Sequence, residues 1–351
     1  MVGRMTTRAP GAAAATPGKV LVTGGAGFIG STIASACADA GIQPVILDDL
    51  STGLRAFADR FTFYEGDYGD RELVARVLAE HPDIDAVVHC AASIVVPESV
   101  TEPLRYYDNN VAKLTGFLAE LLQSGCRRLV FSSTAAMYDA GPSLVVDETS
   151  PLNPLSPYAA SKWMVERILA DVAAATELRA ISLRYFNPIG ADPLRRTGLQ
   201  LEHPSHALGK LLEAGASGAP FTVTGTDWPT RDGSGIRDYI HVWDLAQAHV
   251  AALRRFDDVH AGSTTSPGYE VINLGTGNGT TVFELVEAFR EVTGTDLPVV
   301  TGPPRPGDVV GCYTSAAKAE RVLGWRTQLD LKDGIADALA WLALLPGVLR
   351  G

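Results

Sequence analysis

The chain has no cluster of basic residues, no apolar run long enough to cross a membrane, and few cysteines. Its 29 lysines and arginines are outnumbered by 40 aspartates and glutamates, for a net charge of −11. Without a basic patch, neither nucleic acid nor an anionic membrane is expected as a main partner, although a local site for an anionic ligand stays open. A membrane span needs roughly 18 or more consecutive apolar residues, and the sequence offers no such run. Cys37, Cys90, Cys126 and Cys312 are widely spaced, with no C-x-x-C pair. They read as free thiols of a reducing compartment, the cytoplasm, and no metal site is expected. Residues 1–18 are rich in Ala, Pro, Gly and Thr and lack the apolar centre of a signal peptide. A disordered leader is therefore expected there. No fixed period points to a solenoid.

What is present suits a globular protein of one large or two medium domains: 351 residues, 46% hydrophobic and 20% charged. Lys19-Val20-Leu21-Val22 is a short apolar strand running into Thr23-Gly24-Gly25-Ala26-Gly27-Phe28-Ile29-Gly30, and an amphipathic stretch follows from Ser31 to Ala40. Strand, glycine turn and helix in that order make a phosphate cradle. Glycine lets the backbone turn tightly and approach a pyrophosphate, and the helix start offers free N–H groups. The next strand, Pro44 to Leu47, ends in Asp48, 24 residues past Gly24. An acid near that spacing accepts from the adenosine ribose and repels a 2′-phosphate, so NAD is expected rather than NADP.

The alternation goes on. Strands are expected at Phe61 to Tyr64, Ala86 to His89 and Arg128 to Phe131, with helices at Arg71 to Glu80 and, unbroken, Tyr106 to Ser124. This is the pattern of a Rossmann-type α/β fold, a doubly wound parallel sheet whose ligands sit at the carboxyl ends of the strands. His89 has no second ligand spaced to share a metal and reads as a core histidine.

Tyr158-Ala159-Ala160-Ser161-Lys162 carries the chemistry. Tyrosine and lysine four apart share a helix face, and Pro157 suits a helix start. The lysine cation is expected to lower the phenol's pKa and make it a base. Thr134, 24 residues earlier at a strand end, offers a hydroxyl to orient a substrate oxygen, with Ser132 or Ser133 as alternatives. The pattern implies proton transfer at a hydroxyl coupled to hydride transfer at its carbon.

Together these motifs resemble the extended short-chain dehydrogenase/reductase family. Further segments narrow the likeness to the 4-epimerases of UDP-hexoses: Tyr107-Asp108-Asn109-Asn110-Val111, Tyr185-Phe186-Asn187-Pro188-Ile189-Gly190-Ala191, the run from Asp232 to Val242, Asn273-Leu274-Gly275-Thr276-Gly277, and Arg305-Pro306-Gly307-Asp308. The resemblance covers about Lys19 to Leu344. It implies reversible inversion at C4 of UDP-galactose or UDP-glucose through a transient 4-keto sugar, with Tyr158, Lys162 and Thr134 catalytic and NAD as cofactor. The implied cofactor contacts are Gly24, Gly27, Phe28, Ile29 and Gly30 in the glycine turn, and Asp48, Asp49, Leu50, Ser51, Thr52 and Gly53 after the second strand. Asp67, Tyr68, Cys90, Ala91, Ala92, Asn109, Ser132, Tyr185 and Phe186 complete them, beside Tyr158 and Lys162.

For the substrate the resemblance implies Arg237 and Arg305 on the UDP phosphates, Asp308 on the uridine ribose, and Thr222 and Thr224 beside the uracil. Asn187, His206, Ala207, Thr134 and Tyr158 lie near the sugar. Ile94 stands where many members have lysine, Thr134 where serine is commoner, and His206 where asparagine is common. Cys312 stands where some members carry tyrosine, and a small residue there implies room for an N-acetyl group at C2. The expected division is residues 19–184 as mainly the NAD-binding domain and 185–351 as mainly a smaller mixed α/β UDP-sugar lobe, with some segments returning to the first. A homodimer is implied, through the helical faces Tyr106 to Leu122 and Trp163 to Val172. Two other outcomes stay open: an epimerase of a UDP-pentose or UDP-uronate, and a non-catalytic NAD/UDP-sugar sensor. A dehydratase would want a carboxylate beside Tyr158, and Thr134-Ala135-Ala136 supplies none.

Overall fold

The computed structural model describes residues 16–201, 206–262, 267–304 and 309–349. Of the expected leader, residues 1–15 lie outside the described residues. Seven strands form one parallel sheet: β1 (Lys19–Thr23), β2 (Gln43–Asp48), β3 (Thr62–Glu65), β4 (Ala86–His89), β5 (Arg128–Thr134), β6 (Arg179–Tyr185) and β7 (Tyr269–Leu274). Their order is β7-β6-β5-β4-β1-β2-β3. The direction of winding reverses between β1 and β4, so a crevice opens at their carboxyl ends. There Thr23 pairs in register with His89, and the Thr23 hydroxyl lies 2.7 Å from His89 Nδ1. His89 is buried, its pKa pushed down to about 3 by burial and then by the nearby Lys162 charge. It is a core residue.

The central strands are apolar on both faces because both faces are covered. On one side α1 (Phe28–Asp39) packs with the helix Val242–Arg254 around Val22, Ile33, Ile46 and Leu245. On the other, α2 (Arg71–Glu80), α3 (Lys113–Ser124) and α4 (Pro157–Ala175) cover Leu21, Val87 and Leu129. The Val242–Arg254 helix and β7 both come from beyond residue 184 and lie in the nucleotide fold. A third core, built on Leu208, Leu212, Tyr239, Leu285 and Phe289, holds the smaller lobe together. Among the described residues, no helix is long and apolar enough to cross a membrane.

The expected unbroken helix from Tyr106 to Ser124 is interrupted. A helix over Pro103–Tyr107 passes through a π turn at Asp108–Ala112 before α3 begins. A π turn inserts one extra residue, and here it turns two asparagines toward one loop. Asn110 accepts from the Ser93 N–H (2.8 Å) and donates to the Ser93 carbonyl (3.0 Å) and the Ser161 hydroxyl (3.0 Å). The Asn109 amide reaches the Ser93 hydroxyl at 3.2 Å. The loop after β4 is thereby tied to α4. Nothing in the hydrophobic period signals the extra residue.

Candidate active site

The glycine turn fits a dinucleotide. Gly24 has φ +69°, and a Cβ there would lie 2.6 Å from the Ala91 nitrogen. A Cβ on Gly30 would lie 2.1 Å from the Gly24 carbonyl oxygen. Gly27 is the N-cap of α1 and brings no side chain to it, and the first turn holds no acid. The helix start therefore keeps its unpaired N–H groups and positive dipole end for an anion. These residues fit the diphosphate of NAD.

At the end of β2, the Asp48 carboxylate is held by the N–H groups of Ala26 (2.9 Å) and Leu50 (2.8 Å). Burial raises its pKa against those two bonds. Gly53 closes over it: a Cβ there would lie 2.9 Å from Asp48 Oδ1. Leu50, with φ +58°, turns the loop between them. Asp49 accepts from the Ser51 N–H at 2.9 Å. Asp67 is already matched, since Lys113 Nζ lies 2.5 Å from its carboxylate and 3.0 Å from Asn109 Oδ1. The Tyr68 hydroxyl donates to the Asn109 carbonyl.

The strand that begins at Arg128 takes in Ser132, Ser133 and Thr134 at its end, in register with β6, so these hydroxyls are fixed by a ladder. Ser156 caps α4 through the Ala159 N–H (3.2 Å), with Pro157 following as the first helical residue. The phenol of Tyr158 then faces the end of β5. Burial raises its pKa, and the nearby Thr134 hydroxyl opposes that rise. Lys162 was expected to lower the phenol's pKa. In this structure its Nζ donates to the Ser132 carbonyl at 2.8 Å and lies 4.7 Å from the centre of the Phe131 ring. Burial pulls the lysine itself down to about 8. Both groups are desolvated, and each is destabilised in its charged form. Cys90 and Tyr185 close the group. Burial pushes the Cys90 thiol up to about 12, and the Tyr185 hydroxyl pairs with His249 Nε2.

The second lobe supplies the rest. Asn187 opens a short strand, Asn187–Ile189, parallel to Tyr239–His241, and its N–H donates to the Asp238 carbonyl at 2.9 Å. Arg237 is anchored to carbonyls: Nη1 donates to Ile236 (2.7 Å) and Val310 (2.9 Å). Sequence reading gave no sign of that grip. Buried Asp238 fixes the same segment through the N–H (2.8 Å) and hydroxyl (2.7 Å) of Thr276. His206 caps the helix Ala207–Ser217, its Nδ1 accepting from the Gly209 N–H at 3.1 Å. Thr222 and Thr224 share the outward face of the strand Phe221–Thr224, while Phe221 and Val223 face the core. Ile94 is 59% exposed. Arg305 and Asp308 lie outside the described residues.

Cys312 is half-buried against the Ala135, Tyr138 and Phe186 cluster. An apolar cavity of about 240 Å3 bridges the two lobes, lined by Phe28, Pro188, Leu199, His206, Leu212 and Trp341 among others. A larger, polar cavity of about 380 Å3 opens beside Asp85, Arg128 and Arg179 at the amino ends of the strands, away from all of these groups.

Sequence reading missed three features: the Asn110–Ser93 lock, a buried Glu166–Arg184 pair behind Lys162, and Tyr239. The Tyr239 hydroxyl is buried with no hydrogen-bond partner among the described residues. Glu166 could have been found, because it continues the Tyr158–Lys162 face by another turn.

A model of the NAD dependent epimerase/dehydratase family matches residues 20–275. The chain belongs to that family. Among relatives of this family member, a UDP-glucose 4-epimerase of Azospirillum brasilense is 45% identical over 331 residues, covering 93% of this chain and 92% of its own. A UDP-glucose 4-epimerase of Stenotrophomonas maltophila, solved with NAD and formylated UDP-arabinopyranose, superposes with a TM-score of 0.86 at 36% identity, covering 95% of this chain and 99% of its own. That of Bifidobacterium longum, solved with NAD+ and UDP, gives 0.84 at 35% identity, covering 94% and 99%.

Proposed function

We propose that the chain is a 4-epimerase of UDP-hexoses, interconverting UDP-galactose and UDP-glucose. The observation that carries this reading is the Tyr158–Lys162 turn of α4, set against the end of β5 that bears Thr134, with Lys162 Nζ on the Ser132 carbonyl, next to the glycine cradle. NAD held by the glycine cradle would supply the hydride acceptor and donor for C4. Tyr158 removes the O4 proton and later gives it back, Thr134 orients that oxygen, and Lys162 supplies the cation beside the phenolate. Arg237 and Arg305 grip the diphosphate, Asp308 the ribose, and Thr222 and Thr224 border the uracil. Asn187, His206 and Ala207 border the sugar. The 4-keto sugar turns about its phosphate linkage and offers its other face. UDP is thus held firmly and the hexose loosely. Purified protein with UDP-galactose and no added NAD is expected to form UDP-glucose, followed by chromatography of the nucleotide sugars. NAD bound without any turnover would overturn the reading in favour of a sensor or another sugar.

Cys312 fixes the breadth of substrate. It packs on the same small cluster as Phe186 and Ala135, next to Thr134, and a tyrosine would fill that space. UDP-GlcNAc and UDP-GalNAc are therefore expected as substrates beside the plain hexoses. Cys312→Tyr should cut kcat/KM for the N-acetylated pair by about 100-fold, the range for a steric clash at a site, and leave UDP-galactose within a few-fold. An unchanged substrate panel would end the pocket argument.

The same reading includes a homodimer. Val100, Leu104, Trp163 and Met164 are exposed apolar side chains on neighbouring helices beside α4, a face that suits a second copy. The four cysteines are free thiols, which supports a reducing, cytoplasmic setting.

A further inference from the structure

Behind Lys162 runs a chain of buried polar groups that the reaction above does not use. The Glu166 carboxylate accepts from Ser133 Oγ (2.5 Å), Arg184 Nε (2.9 Å) and Arg184 Nη2 (2.6 Å). The Glu166 and Arg184 side chains are 6% and 4% exposed. Arg184 Nη1 donates to the Tyr138 hydroxyl (2.7 Å), which donates to Asn273 Oδ1 (2.7 Å). The Asn273 amide donates to the Thr314 hydroxyl (3.0 Å), and the Thr314 N–H donates to Asp238 (3.3 Å). Each link joins a different element, so the chain crosses from α4 through β5 and β6 to the segment bearing Arg237.

We propose that Glu166 and Arg184 are positioning residues for the epimerisation, clamping the Lys162 turn of α4 to the ends of β5 and β6 and tying that clamp, through Tyr138 and Asn273, to the Arg237 segment. This rests on the functional reading above. Ser132, whose carbonyl receives Lys162, precedes Ser133, whose hydroxyl is bound by Glu166. One strand end is therefore held twice by one helix, at adjacent residues. Both carboxylate oxygens and three guanidinium nitrogens are engaged. A network this fully satisfied rigidifies what it joins.

The clamp also sets a charge. The groups around Lys162 are Tyr158 and Glu166 on its own helix and His89 and Cys90 at the end of β4, with Arg184 paired to Glu166 behind it. Glu166 is among the groups that favour the lysine cation against its burial. The cation is present below about 8 and lost as pH rises through that value. Removing the carboxylate lowers that pKa, so the alkaline fall in kcat moves to lower pH, by about one unit for a neighbouring charge.

The test compares Glu166→Gln, Ser133→Ala and the double variant Glu166→Gln/Arg184→Met with the parent chain. Glu166→Gln is expected to lose about 100-fold in kcat, with KM changed less than about threefold, and to show the alkaline shift. The double variant removes both charges of a buried pair, which often leaves folding intact. It is expected to keep its melting temperature within a few degrees, still lose kcat, and show the same alkaline shift, because Glu166 and not Arg184 is among the charges acting on Lys162. Ser133→Ala should lose kcat about fivefold, and it carries the comparison should Glu166→Gln fail to fold. Parental kcat in the double variant or in a folded Glu166→Gln would overturn the proposal, as would a loss of stability without a change in kcat or pH profile. The reading beneath it is separated by a readout that needs no turnover. The titration of [ε-13C]lysine-labelled Lys162, assigned with Lys162→Arg, should move to lower pH in Glu166→Gln. If the parent chain turns over no UDP-sugar, the functional reading fails and this titration alone decides whether the clamp holds.

Discussion

Tyr158→Phe is expected to lower kcat for UDP-galactose by about 10³-fold, within the range for losing a positioned acid–base group, with KM moved by less than a few-fold and bound NAD retained. The phenol ring keeps its packing, so only the proton acceptor is lost. No neighbour can replace it. The Cys90 thiol is held protonated, with its pKa near 12, and His89 is turned into the core against Thr23. Lys162 is the wrong charge type for the step and is bonded to the Ser132 carbonyl. Residual activity near that of the parent chain would remove Tyr158 from the mechanism. A companion change tests the same claim by its pH dependence. The Thr134 hydroxyl is the group that lowers the phenol's pKa against burial. Thr134→Val removes that hydroxyl, so the pKa rises and the acid limb of the kcat profile shifts to higher pH. A shift in the opposite direction, or none, would show that Thr134 does not act on the phenol.

The parts of this site that could be read from sequence are local ones. A glycine turn between a strand and a helix, an acid after the next strand, and a tyrosine and lysine one turn apart each occupy a few consecutive residues, and their geometry follows from helix and strand periods. The sheet was legible for the same reason, because buried parallel strands are apolar on both faces. What escaped lies between distant residues. The π turn exists because Asn110 finds Ser93 and Ser161, 17 and 51 residues away in sequence. Arg184 meets Glu166 across a helix and a strand, and Arg237 is held by carbonyls of Ile236 and Val310. None of these leaves a periodic trace. The net rise of the Tyr158 pKa was missed because one-turn spacing fixes a shared face but says nothing of burial, which is the largest cause of that rise.

The three glycines of the cradle look alike in sequence, yet they should fail in three different ways. Gly30→Ala is expected to lose tenfold or more of the bound NAD and several degrees of melting temperature. Its new Cβ would sit 2.1 Å from the Gly24 carbonyl oxygen, which is backbone and cannot swing aside; relieving such overpacking costs about 1–3 kcal/mol or more. At Gly24 two effects combine, a Cβ 2.6 Å from the Ala91 nitrogen and a φ of +69° that side chains rarely adopt. Gly27 differs: its φ is −83°, and its nearest neighbour would be the Gly24 oxygen at an ordinary 3.5 Å. The chain itself has no need of a glycine there. Gly27→Ala should therefore melt with the parent protein and still hold NAD less tightly, because only an approaching diphosphate would meet the added methyl. Gly41→Ala separates strain from site, since its φ is +78° with nothing within 4 Å: melting should fall slightly and NAD content should not change. NAD content measured by absorbance after gel filtration, beside thermal melting, distinguishes the four. Full NAD retention in Gly27→Ala would mean that the diphosphate does not lie across the start of α1.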